Sequence, residues 1–141
     1  TSHELLRQDR LVVLARKGHP VIARGLDMAS YLEARHILVS SRAEGPGIED
    51  FELSRHGAQR TIRLRCQHYY AACRVVESSD LLLTMPETYA RIIAQNTDIE
   101  VLAPPVEMPS IDVHLYWHKA YEQEPALVWF RDLLRNLQKA Q

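Results

Sequence analysis

Apolar residues fall in short runs separated by polar, helix-forming stretches. In "RLVVLARKGHP" a β-branched and leucine run is halted by Gly18 and Pro20, which predicts a strand over residues 10–16. Asp27 then stands at the N-cap position of a short helix, "MASYLEAR". "HILVS" at 36–40 is apolar on both faces, as a strand is in a sheet covered on both sides. Beyond the loop "SSRAEGPG", "IEDFELSRHG" reads as a helix closed by Gly57. "RTIRLRC" alternates, predicting a strand over 60–66 nearer a sheet edge. "YYAACRVVE" at 69–77 sets Ala72, Val75 and Val76 on one helical stripe. "LLLTMP" is a second doubly buried strand, with Pro86 expected at the first position of the helix "ETYARIIAQ", and "IEVLAP" is the next strand.

Helix and strand thus alternate at intervals of about 20 residues, the pattern of an open α/β sheet. After Pro104 and Pro105 the pattern changes. "SIDVHLYWHKAY" alternates over seven residues as a long strand, and Glu124 and Pro125 begin a last helix. Leu127, Phe130, Leu133, Leu134 and Leu137 give that helix a broad apolar face that needs a surface to cover. No element before residue 10 is predicted to supply one, which points to a missing part or a partner chain.

Ligands in open α/β sheets sit beyond the carboxyl ends of the strands, against the helix starts. Ser40, Ser41, His68 and Tyr69 fall at that rim. With 141 residues the chain has room for one ordinary core, so one domain or a piece of a larger one is expected. A 46% hydrophobic and 25% charged composition is that of a globular protein. Its 17 Lys plus Arg against 18 Asp plus Glu provide no positive field for a phosphate backbone, so this chain alone is not expected to bind DNA. No apolar stretch approaches the ~20 residues that cross a bilayer, and "TSHELLRQDR" lacks the apolar centre of a secretory signal. A cytoplasmic location without membrane contact is therefore expected. Cys66 and Cys73 lack a CxxC unit and are read as two free thiols.

The run "VVLARKGHP", the strand "HILVS", the segment "VVESSDLLLTMPETYA" and the ending "PPVEMPSIDVHLYWHKAYEQEPALVWFRDLL" together resemble the effector-binding region of LysR-type transcriptional regulators. The likeness is greatest to the branch sensing aromatic acids, the naphthalene/salicylate and nitrotoluene regulators, with the nodulation regulators related. The resemblance covers nearly the whole chain. It implies an α/β fold of periplasmic-binding-protein type 2, represented here mostly by one Rossmann-like subdomain with crossover strands and a C-terminal helix. Residues 1–141 would then be a partial effector-binding domain. Within it, 10–16 would be the first crossover strand, 20–108 subdomain two, and 111–141 the return crossover and the terminal helix. The DNA-binding helix-turn-helix would lie outside the chain. The implied partners are a small-molecule effector, aromatic or carboxylic in character, further copies in a homodimer or tetramer, and DNA through the absent N-terminal domain. No cofactor and no metal are implied.

The resemblance also places His36, His68 and Tyr116 along the effector cleft. Imidazole N–H groups and a helix N-terminus can bond a carboxylate, and an aromatic ring can stack on an aromatic ligand. His68 is the leading candidate, although a rim histidine can equally bond to backbone, and His36 begins a buried strand. Ser40 and Ser41 precede a loop, where serines more often cap turns. Of Tyr69 and Tyr70, only one can face the cleft while the other packs inward. Alternation sets Tyr116 with His114 and His118 on one strand face and Trp117 on the other. Arg16 and Lys17 at a strand end read as solvated charge beside a turn. His114 and His118 stand about 13 Å apart on an extended strand and make no zinc pair.

Two other functions compete. A solute-binding protein of a transporter would share the fold. An α/β enzyme could use His68, Ser40 or Cys73, but the chain has no G-x-S-x-G elbow, CxxC or H-E-x-x-H motif. Sensing without catalysis is the expectation.

Overall fold

A computed structural model describes residues 1–140. In chain order the elements are β1 (Ser2–Asp9), β2 (Leu11–Arg16), α1 (Pro20–Arg24), α2 (Met28–Glu33), β3 (Arg35–Val39), α3 (Ile48–Arg55), β4 (Thr61–Cys66), α4 (Tyr69–Glu77), β5 (Leu82–Pro86), α5 (Glu87–Ala94), β6 (Ile99–Leu102), β7 (Ile111–Trp117), a single 3₁₀ turn (Lys119–Tyr121) and α6 (Pro125–Lys139). The chain divides into two compact units. One is Arg10–Pro109, and the other joins Thr1–Asp9 to the residues from Ser110 onward.

The larger unit is a three-layer α/β sandwich. Its sheet runs β4-β3-β5-β2-β6, with β3 parallel to β4 and β5, and β2 antiparallel to β5 and β6. Leu11 through Ala15 are all buried, because β2 lies between two strands and under two helical layers. Its side chains alternate between the layers. Val12 and Leu14 join Ile37, Leu83 and Met85 beneath Ala72, Cys73 and Val76 of α4 and Ala90 of α5. Val13 and Ala15 join Leu82 beneath Val21 of α1, Tyr31 of α2 and Leu53 of α3. As expected, Asp27 caps α2 by accepting from Ser30 N at 2.8 Å. Pro86 departs from expectation: it is the last residue of β5 and the N-cap of α5 rather than its first helical residue. Its fixed φ suits extended backbone as well as a helix start.

A buried polar network closes the α3 layer. The Arg60 side chain is fully buried; its Nε donates to Asp50 Oδ1 at 2.6 Å and its Nη2 to Glu49 Oε1 at 2.5 Å. Burial opposes the charge on Arg60, but the bond to Asp50 and the charges of Glu49 and Asp50 outweigh it and hold the guanidinium above its usual pKa. Asp50 Oδ2 also accepts from Gly47 N at 2.7 Å, and a Cβ on Gly47 would lie 2.7 Å from Leu38 Cδ1. Only glycine allows so close an approach of this loop to the sheet. The Tyr31 hydroxyl bonds Thr84 Oγ1 at 2.7 Å, linking the network to β5.

In the smaller unit β1, a strand not foreseen from the pattern of residues 1–9, pairs antiparallel with β7 from Ser2↔Trp117 to Asp9↔Ile111, with an irregularity between Leu5 and Arg7. Helix α6 covers one face of this ribbon. Arg135 donates to both oxygens of Glu4 at 2.7 Å, Arg7 donates to Gln138, and the Arg131 guanidinium lies 4.6 Å from the centre of the Trp117 ring. The outer face of α6 keeps the apolar stripe expected of it, with Leu127, Trp129, Phe130 and Leu137 exposed among the described residues.

Replacing Arg60 by Met leaves two carboxylates without their partner in a dry layer, so the expected loss of stability is about 3–5 kcal/mol. Urea unfolding of the variant measures it, and a loss below about 1 kcal/mol would show that Glu49 and Asp50 are solvated instead. His36 provides a second test. Burial, ahead of its other surroundings, lowers its pKa to about 4. The unfolded chain therefore takes up a proton at His36 first. Stability is complete above about pH 6.5 and falls between pH 6.5 and 4, by on the order of 3 kcal/mol. Asp27 and Glu87, whose pKa values are lowered by hydrogen bonds, contribute stability that is also lost as the pH falls, starting from the ordinary carboxylate range. His36→Gln should flatten the pH dependence of the urea midpoint between pH 4 and 6.5.

Candidate functional site

Strands β3 and β4 run parallel, so their carboxyl ends emerge side by side. Val39 pairs with Cys66, and Ser40 N donates to Cys66 O at 2.9 Å. The segments leaving these strands, Ser40–Ser41 and Gln67–His68, therefore start as neighbours. Helix α4 begins one residue later. His68 is its N-cap in extended conformation, and the side chain makes no capping bond. The first helical bond is Ala72 N to His68 O, so Tyr69, Tyr70 and Ala71 present N–H groups without helical acceptors. This is an uncapped, electropositive helix start.

A shallow cavity of about 540 Å³ lies against that start, lined by Gln67, His68, Tyr69, Tyr70, Ala71 and Tyr89. Tyr69 packs inward against the α4 side of the core, whereas Tyr70 is 63% exposed, which settles which of the adjacent pair faces outward. Tyr89 meets Tyr69 edge to face at 5.9 Å. Burial first, and the charge on Glu49 second, push the Tyr69 phenol up, so it stays a neutral hydroxyl. Cys66, half-buried beside His68, directs its thiol to the His68 carbonyl at 3.7 Å, and Cys73 is a buried thiol. Tyr89 was not anticipated. Its signal is its position in the first turn of α5, the helix that follows the strand neighbouring β3.

The expected rim residues separate into groups. His68, Tyr69 and Ser40 gather at the carboxyl edge. The Ser40 hydroxyl accepts from Arg42 N at 3.1 Å, which occupies it in a turn, and Ser41 is exposed beside it. His36 is corrected: it is fully buried near the amino end of β3, away from the rim. Its Nε2 donates to Tyr31 O at 2.6 Å, its ring packs 4.4 Å from that of Tyr31, and its Nδ1 is buried without a partner. It is a core histidine. Tyr116 belongs to the smaller unit, on the ribbon face opposite α6, where its ring stacks on His3 at 5.3 Å and lies 6.0 Å from His114. The expected pairing of Tyr116 with His114 on one face is observed. His118 is not on the strand but caps the 3₁₀ turn, accepting from Ala120 N at 3.1 Å.

The arrangement at α4 combines backbone donors, an unengaged imidazole and three phenol rings. Such a set can receive an anionic oxygen and the flat body attached to it. Among the described residues no group of three or more His, Cys, Asp or Glu side chains could hold a metal ion, and no helix is long and apolar enough to cross a membrane.

Comparison with known proteins gives this site its setting. The HTH-type transcriptional activator NahR of Pseudomonas putida is 32% identical over 132 residues, covering 94% of this chain and 44% of that protein. The crystal structure of the probable transcriptional regulator PA0477 from Pseudomonas aeruginosa superposes with a TM-score of 0.83 at 30% identity, over 94% of this chain and 44% of that one. The effector-binding domain of QuiR in complex with shikimate shares the fold, with a TM-score of 0.73 at 19% identity, over 99% of this chain and 66% of that one. The chain thus spans less than half the length of NahR. Residues 1–139 match the LysR substrate binding domain, and the chain belongs to that family.

Proposed function

We propose that this chain is the effector-sensing part of a bacterial LysR-type transcriptional regulator, and that the start of α4 receives a small carboxylic acid with an aromatic or ring-shaped body. The uncapped N-terminus of α4 carries this reading: His68 occupies the capping position without capping, which leaves the donors of the first turn available to a ligand oxygen. The tyrosines around it supply apolar area for the ligand ring. Support comes from NahR as a transcriptional activator and from the shikimate held by QuiR, a ring carboxylate.

In this reading Arg10–Pro109 is the second lobe of the effector domain, and the β1–β7 ribbon with α6 is a portion of the first. Tyr116, Ser40 and Ser41 remain proposed contributors, Ser40 through its hydroxyl proton. The effector acts by binding one lobe arrangement better than another, which shifts the balance between them. The regulator works as a homodimer or tetramer in the cytoplasm, binding DNA through a domain outside this chain, and it catalyses nothing. The apolar outer face of α6 is then covered by first-lobe residues that also lie outside it.

His68→Ala in the full-length regulator is expected to weaken binding of aromatic carboxylates by about tenfold or more, the cost of a charge-assisted hydrogen bond, and to abolish the transcriptional response while operator binding is kept. Isothermal titration with a panel of such acids, beside an operator shift assay, measures both. Normal induction in this variant would remove His68 from the site. Tyr89→Ala should weaken the same acids by about three- to tenfold through lost ring contact, while Tyr89→Phe should bind as the parent does.

A further inference from the structure

The larger unit has a second cavity at the other end of its sheet. Arg35 opens β3 and Leu81 immediately precedes β5, so this cavity lies at the amino ends of the parallel strands, roughly 15 Å along β3 from Ser40. Its volume is about 460 Å³, within the range that small-molecule sites occupy. Pro20, Val21, Ala34 and Leu81 form an apolar lining, and Arg24, Arg35 and Glu33 bring charge to it.

Most of its other polar groups are already engaged within the protein. His19, 8% exposed, donates through Nε2 to Asp80 O at 2.9 Å and accepts from Val21 N on Nδ1 at 3.0 Å. Ser79 donates to Val75 O at 2.7 Å and accepts from Leu81 N, and Ser30 belongs to the cap of α2. Asp80 is paired with Arg16 at 2.7 Å. These bonds fix the walls. Arg24 and Arg35, by contrast, have neither an ion pair nor a hydrogen bond among the described residues, and Glu33 is the one lining carboxylate left unpaired. Two free guanidinium groups against one free carboxylate leave a single positive charge over an apolar pocket.

We propose that this cavity is a second small-molecule site, separate from the start of α4, taking a compact monocarboxylic acid. The ligand's hydrocarbon body would rest on Val21, Ala34 and Leu81 while its carboxylate meets Arg24 and Arg35, since a guanidinium fork matches a carboxylate in two parallel bonds. Glu33 disfavours an acid with a second negative charge. The site does not depend on the function proposed for His68, and its test can fail without affecting that reading.

Cyclohexanecarboxylate is a suitable probe, with cyclohexanecarboxamide as its uncharged counterpart, titrated into the ¹⁵N-labelled chain and followed by amide NMR. Saturable shifts are expected at Val21, Ala34 and Leu81, and the carboxamide should bind about tenfold more weakly or worse. R24Q/R35Q, which alters two exposed side chains, should weaken the pocket shifts by about tenfold or more and leave any shifts at residues 67–71 unchanged. Ala34→Leu, which takes up part of the apolar lining's space and keeps both arginines, should strongly weaken the pocket shifts. Shifts confined to residues 67–71, no shifts at all, equal binding of the carboxamide, or undiminished pocket shifts in either variant would overturn the proposal.

Discussion

Everything in the larger unit depends on β2 being buried on both faces. A strand with no solvent side must sit inside a sheet and under two helical layers, because its side chains alternate between them. Val12 and Leu14 commit α4 and α5 to one layer, and Val13 and Ala15 commit α1, α2 and α3 to the other. Once the helices are so distributed, β3, β4 and β5 run parallel, and the chain must leave them at a common edge. The start of α4 lies at that edge for this reason, and the uncapped donors at Tyr69 to Ala71 follow from the topology as much as from the local sequence.

The elements were legible where hydrophobic period and punctuation agreed. "YYAACRVVE" as a helix over 69–77 and the double burial of "LLLTMP" both appear as read, because apolar spacing alone separates a one-faced helix from a two-faced strand. Residues 2–9 escaped notice. "SHELLRQD" has only two large apolar residues, and it is a strand because β7 offers it a complete antiparallel partner. Tertiary pairing overrode weak local preference there. Pro86 was misplaced by one position, a small error typical of a residue whose φ suits both sides of a strand-to-helix junction.

The site was legible only in part. Rim geometry placed His68, Tyr69 and Ser40 at the strand ends and helix start where the structure has them, since such junctions can be counted along a chain. It could not separate Tyr69 from Tyr70, nor bring in Tyr89, because those depend on which neighbouring helix is packed alongside. His36 shows a different failure. An apolar strand beginning with histidine does not reveal whether the ring meets solvent, and here the α2 carbonyl of Tyr31 and the tyrosine ring seal it in.

His36 and His68 show how one sheet can give the same residue type opposite uses. Near the amino end of β3 the imidazole is dry, its Nε2–H is spent on a backbone carbonyl, and its pKa is lowered by the loss of water. Such a ring helps to define the core and is a poor partner for an anion, since charging it would cost the fold stability. Past the carboxyl end of β4 the other imidazole is exposed, lacks the capping bond that its position invites, and adjoins backbone donors of the same polarity. A carboxylate arriving there gains from the helix start and the ring together, and it displaces no internal bond of the His68 side chain. In the proposed reading, an acid is recognised through the side-chain cap left unmade at His68, while the caps at Asp27 and Glu124 are made.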